Sequence, residues 1–193
     1  MVMFHQGNRE LQRHFGSTAL ADRLVGRLRR SEFNDEDREL IHSLEFFFVA
    51  TAADGQPDCS FKGGPPGFAR VVRSDLLVWP DYDGNGMFKS LGNIRRNPFV
   101  GLLFIRMGAA PKRLRVNGRA EVVLEDSLMT EFVGAQALIR VTPIDIFPNC
   151  PRYIPDLAAP SPSPYVPRED RPPVEPAWKS NPAWKDVVPA RRA

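Results

Sequence analysis

The stretch Leu76–Phe104, LLVWPDYDGNGMFKSLGNIRRNPFVGLLF, decides how the rest of the chain is read. It opens with a strand, Leu76–Trp79, and a polar turn over Asp81–Gly86. A short helix follows from Met87 to about Arg96; the Asn97-Pro98 pair breaks it, and Phe99–Ile105 forms a second apolar strand. The Gly84-Asn85-Gly86 run frees backbone amides at the helix start. An anion gains most there, from unpaired N–H groups and the helix dipole. Lys89 and Ser90 fall in the first turn, so a cation and a hydroxyl can join those amides around a phosphate. A Gly-rich turn before an ordinary capped helix carries the same local pattern, since short motifs recur by chance.

Upstream of this stretch, Phe46–Ala52 is dense in strand formers and ends at Asp54-Gly55, a hairpin signal. The return strand, Pro57–Lys62, alternates Asp58, Ser60 and Lys62 with Cys59 and Phe61. One face is polar and the other apolar, which places Cys59 in the core. Gly63-Gly64-Pro65-Pro66-Gly67 is a rigid loop of little bulk, suited to the close approach of a flat ligand or a partner backbone. Ala69–Val72 and Leu76–Trp79 form a further hairpin across Ser74-Asp75. Two helices precede the strands. The first runs from a Ser17 cap to about Arg30 with Leu20, Leu24 and Leu28 as its apolar stripe. The second follows the Asn34 cap, with Leu40, Ile41 and Leu44 buried. Both are expected to lie against a sheet.

Downstream, Leu114–Val123 is a strand interrupted at Asn117-Gly118, where a bulge or close backbone contact is expected; Arg113 and Arg115 share one face of it. A short helix over Glu125 to about Val133 and a last strand, Ala137–Ile146, complete the pattern. Closely spaced strands with short turns predict a mainly β protein, an antiparallel barrel with flanking helices. From Pro155 the composition shifts, because this tail holds 10 of the 19 prolines together with Tyr165, Trp178 and Trp184. Disordered tails are poor in aromatics, so an extended arm packing its rings on the body or on a partner subunit is expected. The expected organisation is an N-terminal helical segment over residues 1–45, a barrel over 46–154 and the Pro-rich arm over 155–193.

Hydrophobic content of 42% and charged content of 25% over 193 residues belong to a globular chain with a real core. A net charge of +3, with the basic residues scattered, lacks the concentrated patch of a nucleic-acid footprint. No apolar run has the length of a membrane span and no signal peptide is evident, so a cytoplasmic protein is expected. Cys59 and Cys150 match no metal spacing and read as free thiols in a reducing compartment. Cys150, the more interesting of the two, is expected to be buried, with Arg152 and Tyr153 bordering a pocket or anchoring a strand end. His5, His14 and His42 fall in the helical segment and read as structural or solvated.

Three groups of side chains offer cations, hydroxyls and amides for one dianion: Ser60 and Lys62 on the polar strand face, Asn85, Lys89 and Ser90 at the turn-helix, and Arg113 and Arg115. A planar ring system could rest on the Gly-rich loop and the Trp79-Pro80 backbone. The pattern describes a site for a phosphorylated cofactor.

The chain resembles the pyridoxamine 5′-phosphate oxidase-like, FMN-binding split-barrel family, and within it a bacterial branch distinct from the oxidase proper. The resemblance is carried, in order, by Ala50–Phe68, Pro80–Ile94, Asn97–Ile105, Arg113–Val122 and Ile146–Ile154. It implies a six-stranded split barrel that forms a homodimer with FMN at the subunit interface. It also implies that residues matching Ser60, Lys62, Asn85, Lys89 and Ser90 hold the flavin phosphate. The backbone of Val78, Trp79, Pro80 and Asp81 would then lie along the rings, with Arg113 reaching the flavin from the neighbouring strand. An oxidoreductase passing hydride to or from a small substrate is the implied activity; flavin storage without turnover, or the same barrel holding deazaflavin or haem, are its alternatives. The chain departs from the oxidase proper at the first-strand Arg…Lys pair and the Ser-Arg-Lys turn, and it lacks the C-terminal Trp…Arg signature that grips the pyridoxal substrate.

Overall fold

The structure, a computed structural model, describes residues 3–108, 110–151, 154, 168–170, 172–175, 180 and 182. Three helices, α1 (Gln6–His14), α2 (Thr18–Leu28) and α3 (Asp35–Ser43), precede β1 (Phe46–Ala53), β2 (Gln56–Gly63), β3 (Arg70–Arg73) and β4 (Leu76–Tyr82). Helix α4 (Lys89–Arg96), β5 (Phe99–Arg106), β6 (Lys112–Val123), a 3-10 turn (Ser127–Glu131) and β7 (Ala135–Pro148) follow. All seven strands join one antiparallel sheet in the order β2-β1-β5-β6-β7-β4-β3. The seven strands read from the sequence are all present, the short Ala69–Val72 strand as β3; the six-stranded barrel that the resemblance implied is one strand short of this sheet.

The sheet curls until side chains from distant strands meet. Phe47 on β1 packs edge-on against Trp79 on β4, with ring centroids 5.2 Å apart, and also contacts Phe68 and Phe104. These rings, with Val49, Leu102, Val116 and Ile139, form the main core. The closure uses side chains and no ladder, since β2 and β3 remain the two ends of the hydrogen-bonded order. Pro80 sits where this matters. Strand β3 pairs with β4 only as far as Val78, so at Pro80 the strand has a neighbour on one side alone, β7. A residue with no N–H is tolerated on such an edge.

Helix α3 covers the outer edge of β3. The His42 Nε2 accepts from the Val71 N–H at 3.1 Å, and the Arg38 guanidinium donates to the Val71 carbonyl. An edge strand's unpaired backbone groups are satisfied in this way. The Asn34 cap is present, with its side chain accepting from Asp37 N and Asp37 accepting in return from Asn34 N. Leu40, Ile41 and Leu44 are buried as expected. Helix α2 differs: Leu20, Leu24 and Leu28 are 60%, 47% and 37% exposed and no residue of the helix is buried. An amphipathic stripe specifies a helix, but nothing in this chain's described residues covers this one. The segment after it is fixed instead by Arg30, whose backbone pairs with Ile146, and by the Arg29–Asp145 ion pair.

The bulge expected at Asn117-Gly118 is present as a register shift against β7. A Cβ at Gly118 would stand 2.6 Å from the Thr142 carbonyl, which explains the glycine. The helix expected over Glu125–Val133 is only the five-residue 3-10 turn, started by Asp126 accepting from Leu128 N. Tyr165, Trp178 and Trp184 of the Pro-rich arm lie outside the described residues, as do Arg152 and Tyr153.

Candidate functional site

The register of β1 and β2 sets the site. Phe47, Val49 and Thr51 point into the barrel, and opposite them stand Lys62, Ser60 and Asp58. The inner face of the sheet therefore turns from apolar to polar at its last strand. The other face carries Phe46, Phe48 and Phe61, whose rings lie 5.5 to 6.0 Å apart, with Phe61 60% exposed. Cys59 shares this outward face and is exposed, against its expected core position. The alternation was legible; its direction was not, because an edge strand facing a cleft reverses the usual apolar-in rule. Cys150 is exposed too, against expectation.

Between β2, the end of β4 and the start of α4 lies a cleft of about 360 Å³. Ser60, Lys62, Asp81, Asn85, Lys89 and Ser90 all line it. Helix α4 starts at Lys89, two residues later than expected, because Phe88 takes a left-handed backbone (φ 48°) as its N-cap. Phe88 offers no side-chain acceptor to the first-turn amides. Asn85, which could have capped, folds back to accept from Met87 N at 3.0 Å. The helix start thus meets the cleft with its amide dipoles uncapped by any side chain, and two lysines stand nearby. That donor set suits a phosphate. Helix α4 is held in place by a buried hydrogen bond, Asn93 Nδ2 donating to Thr51 Oγ1 at 3.0 Å.

Two acids share the cleft, Asp58 and Asp81. Burial pushes the Asp81 carboxyl above its ordinary range, opposed by the Gln136 amide at 2.8 Å and by the charge of Lys62. Gln136 escaped the sequence reading. A register shift between the Asp81 and Tyr82 pairs leaves it without a partner across the ladder, so its amide reaches Asp81 and the Tyr82 carbonyl. Only the preceding Gly134, at φ 78°, hints at that irregularity. Tyr82 also lines the cleft, its phenol pushed up to about 12 by burial, with Arg70 opposing.

Val78, Trp79 and Pro80 are buried in β4 behind this cleft; the Trp79 indole points into the core, where its Nε1 has no hydrogen-bond partner. The Gly-rich loop is elsewhere. A Cβ at Gly64 would stand 2.6 Å from the Phe68 ring, so that space is filled by the chain's own aromatic. Arg113 and Arg115 lie on the outer face of the sheet, opposite Ile105 and Leu103. Within one chain they do not meet Lys62, which faces the other way. Arg113 donates to the Cys150 carbonyl at 2.9 Å, while its Nε is buried without a partner. Among the described residues there is no cluster of three metal-ligating side chains, and no helix is long and apolar enough to cross a membrane.

A curled antiparallel sheet with a polar seam is the architecture of split-barrel proteins. The family described as pyridoxamine 5′-phosphate oxidase matches residues 33–150, more than half of the chain, and the chain belongs to that family. No curated protein matches it significantly. Among solved structures, the HupZ protein of Group A Streptococcus is 18% identical, covering 60% of this chain and 98% of that one, with a TM-score of 0.49. An FMN-binding protein from Syntrophomonas wolfei is 10% identical over 73% of this chain and 96% of that one, with a TM-score of 0.47. A FAD-binding protein from Mesorhizobium loti is 17% identical over 64% and 99%, with a TM-score of 0.43.

Proposed function

We propose that this chain binds a flavin mononucleotide in the seam between β2 and α4, as a homodimer, and serves as an oxidoreductase for a small molecule. The observation that carries the reading is the uncapped start of α4, opening on the same cleft as Lys62, Ser60 and Lys89. Lys62 and Lys89 hold the phosphate charge, and the amides and hydroxyls supply its remaining donors. When bound, the flavin supplies hydride exchange at its N5 atom. The protein's part is to place the ring edge beside the backbone of Pro80 and Asp81, with Gln136 fixing the Asp81 carboxyl. The outward aromatic cluster supports a dimer, since large exposed apolar patches mark interfaces. A second copy laid on that face is what could carry its own strand arginines toward the cleft.

Titration of the purified chain with FMN tests this. Replacing Lys62 or Lys89 with Ala is expected to weaken binding by about 1.5–3 kcal/mol, the scale of a charged hydrogen bond. Unchanged affinity in both variants overturns the phosphate placement. An absorbance spectrum of protein purified without added cofactor, followed by mass spectrometry of what it releases, identifies the resident group.

A further inference from the structure

Beside the cofactor cleft, across Tyr82, lies a second chamber of about 370 Å³. One side of it is apolar: Pro65, Pro66 and Phe68 from the Gly-rich loop, and Phe132 and Val133 after the 3-10 turn. Phe68 and Phe132 are 3% and 5% exposed, so the floor is fixed by packing. Arg70 also lines this chamber, and its fate decides what the space can take. Its Nε donates to the Gly67 carbonyl at 2.8 Å, and one terminal nitrogen donates to the Glu131 carboxylate at 2.8 Å. The other reaches the Glu131 carbonyl at 3.3 Å, and the guanidinium plane lies 4.3 Å from the Phe132 ring centroid. Arg70 is therefore occupied in tying the loop to the 3-10 turn, with its charge matched. The rim adds Arg168, Glu169 and Asp170, so the described lining totals two cations against three carboxylates.

We infer that this chamber binds a neutral, flat, largely apolar organic molecule, the substrate class of the adjoining site. Arg70 is committed to Glu131, Arg168 shares the rim with Glu169 and Asp170, and an anionic ligand would meet a lining with one net negative charge. A flat apolar ligand finds two proline rings, Val133 and the small exposed parts of Phe68 and Phe132 in a space of the volume small-molecule sites have. Tyr82, the shared wall, gives such a ligand direct proximity to the cofactor cleft. The role as substrate rests on the flavin reading; binding to the chamber does not.

The test uses 2-naphthol and 2-naphthoate, a neutral and an anionic probe of one shape, titrated by fluorescence anisotropy against the full chain at neutral pH. The neutral probe is expected to bind about tenfold more tightly, since an unpaired charge resists desolvation. Val133→Trp, at a position already 45% exposed, fills the chamber and is expected to abolish naphthol binding while leaving the FMN titration unchanged. Glu131→Gln removes the carboxylate that matches the Arg70 charge, leaving the backbone contacts in place, and is expected to improve naphthoate binding severalfold. Equal binding of the two probes, or naphthol binding that survives Val133→Trp, overturns the inference. Lys62→Ala separates the two readings: it should impair FMN binding and leave naphthol binding intact. Wild-type protein that binds naphthol but no flavin retires the flavin reading and leaves the chamber standing.

Discussion

The two faces of the β1–β2 ribbon carry equally bulky aromatic side chains with opposite fates. Phe47, facing inward, is fully buried among Phe68, Trp79 and Phe104. Phe61, facing outward one strand away, is 60% exposed, stacks on Phe46 and meets Phe48 edge-on. The inner face meanwhile gives up apolar character at Ser60 and Lys62. A barrel that was simply burying its greasiest residues would have done the reverse. The chain keeps more aromatic surface than one core needs and spends polar residues where a core could have continued. The difference separates what holds the fold from what the fold holds.

Substitutions can break that contrast. Phe47→Ala is expected to destabilise the chain by about 3–5 kcal/mol in urea denaturation, the cost of emptying a well-packed aromatic site. Phe61→Ala is expected to cost less than about 1 kcal/mol by the same measurement, the worth of an exposed ring pair. Comparable losses at both positions would erase the distinction between the faces. Thr51→Val is intermediate: it strands the Asn93 amide, at about 1–3 kcal/mol for a buried donor left unpaired, and FMN affinity should fall with it because α4 loses its anchor. For the proposed dimer, Phe61→Asp should leave the melting temperature of the monomer nearly unchanged yet shift sedimentation toward the monomer. The smallest effect concerns pH. His42 is held below its ordinary range by burial first, then by Arg38 and Arg70. Its neutral ring accepts from Val71. This contribution is complete above the unfolded value near 6.5 and is lost as pH falls through the lower folded value. The melting temperature should therefore drop on acidification from pH 7 to 5, with a shallower slope in His42→Leu.

Much of this was legible. Strand positions around Phe46–Ala53, Leu76–Tyr82 and Phe99–Arg106 follow from apolar runs bounded by Gly, Pro and Asp, because turn chemistry is local. The Asn117-Gly118 irregularity was legible for the same reason. Three things were not. The side of β2 that faces inward depends on whether a strand ends the sheet, which is a property of topology. Helix α2 has the same stripe signal as α3, and only the tertiary neighbours distinguish a covered stripe from a bare one. Gln136 becomes part of the cleft through a slip in pairing that no residue type announces. Of the residues lining the cleft, Ser60, Lys62, Asn85, Lys89 and Ser90 were singled out by their chemistry and Asp81 by the resemblance, while Asp58, Tyr82 and Gln136 join them only through the fold. The strand arginines were placed correctly on one face of β6; that this face looks away from Lys62 emerged from counting register across four strands.

Pro80 carries a consequence for the life of the protein. With no amide hydrogen at Pro80, the rim of β4 offers one ladder hydrogen bond fewer, which disfavours pairing by β2 or by a stray strand from another molecule. One imino acid thus works as a doorstop.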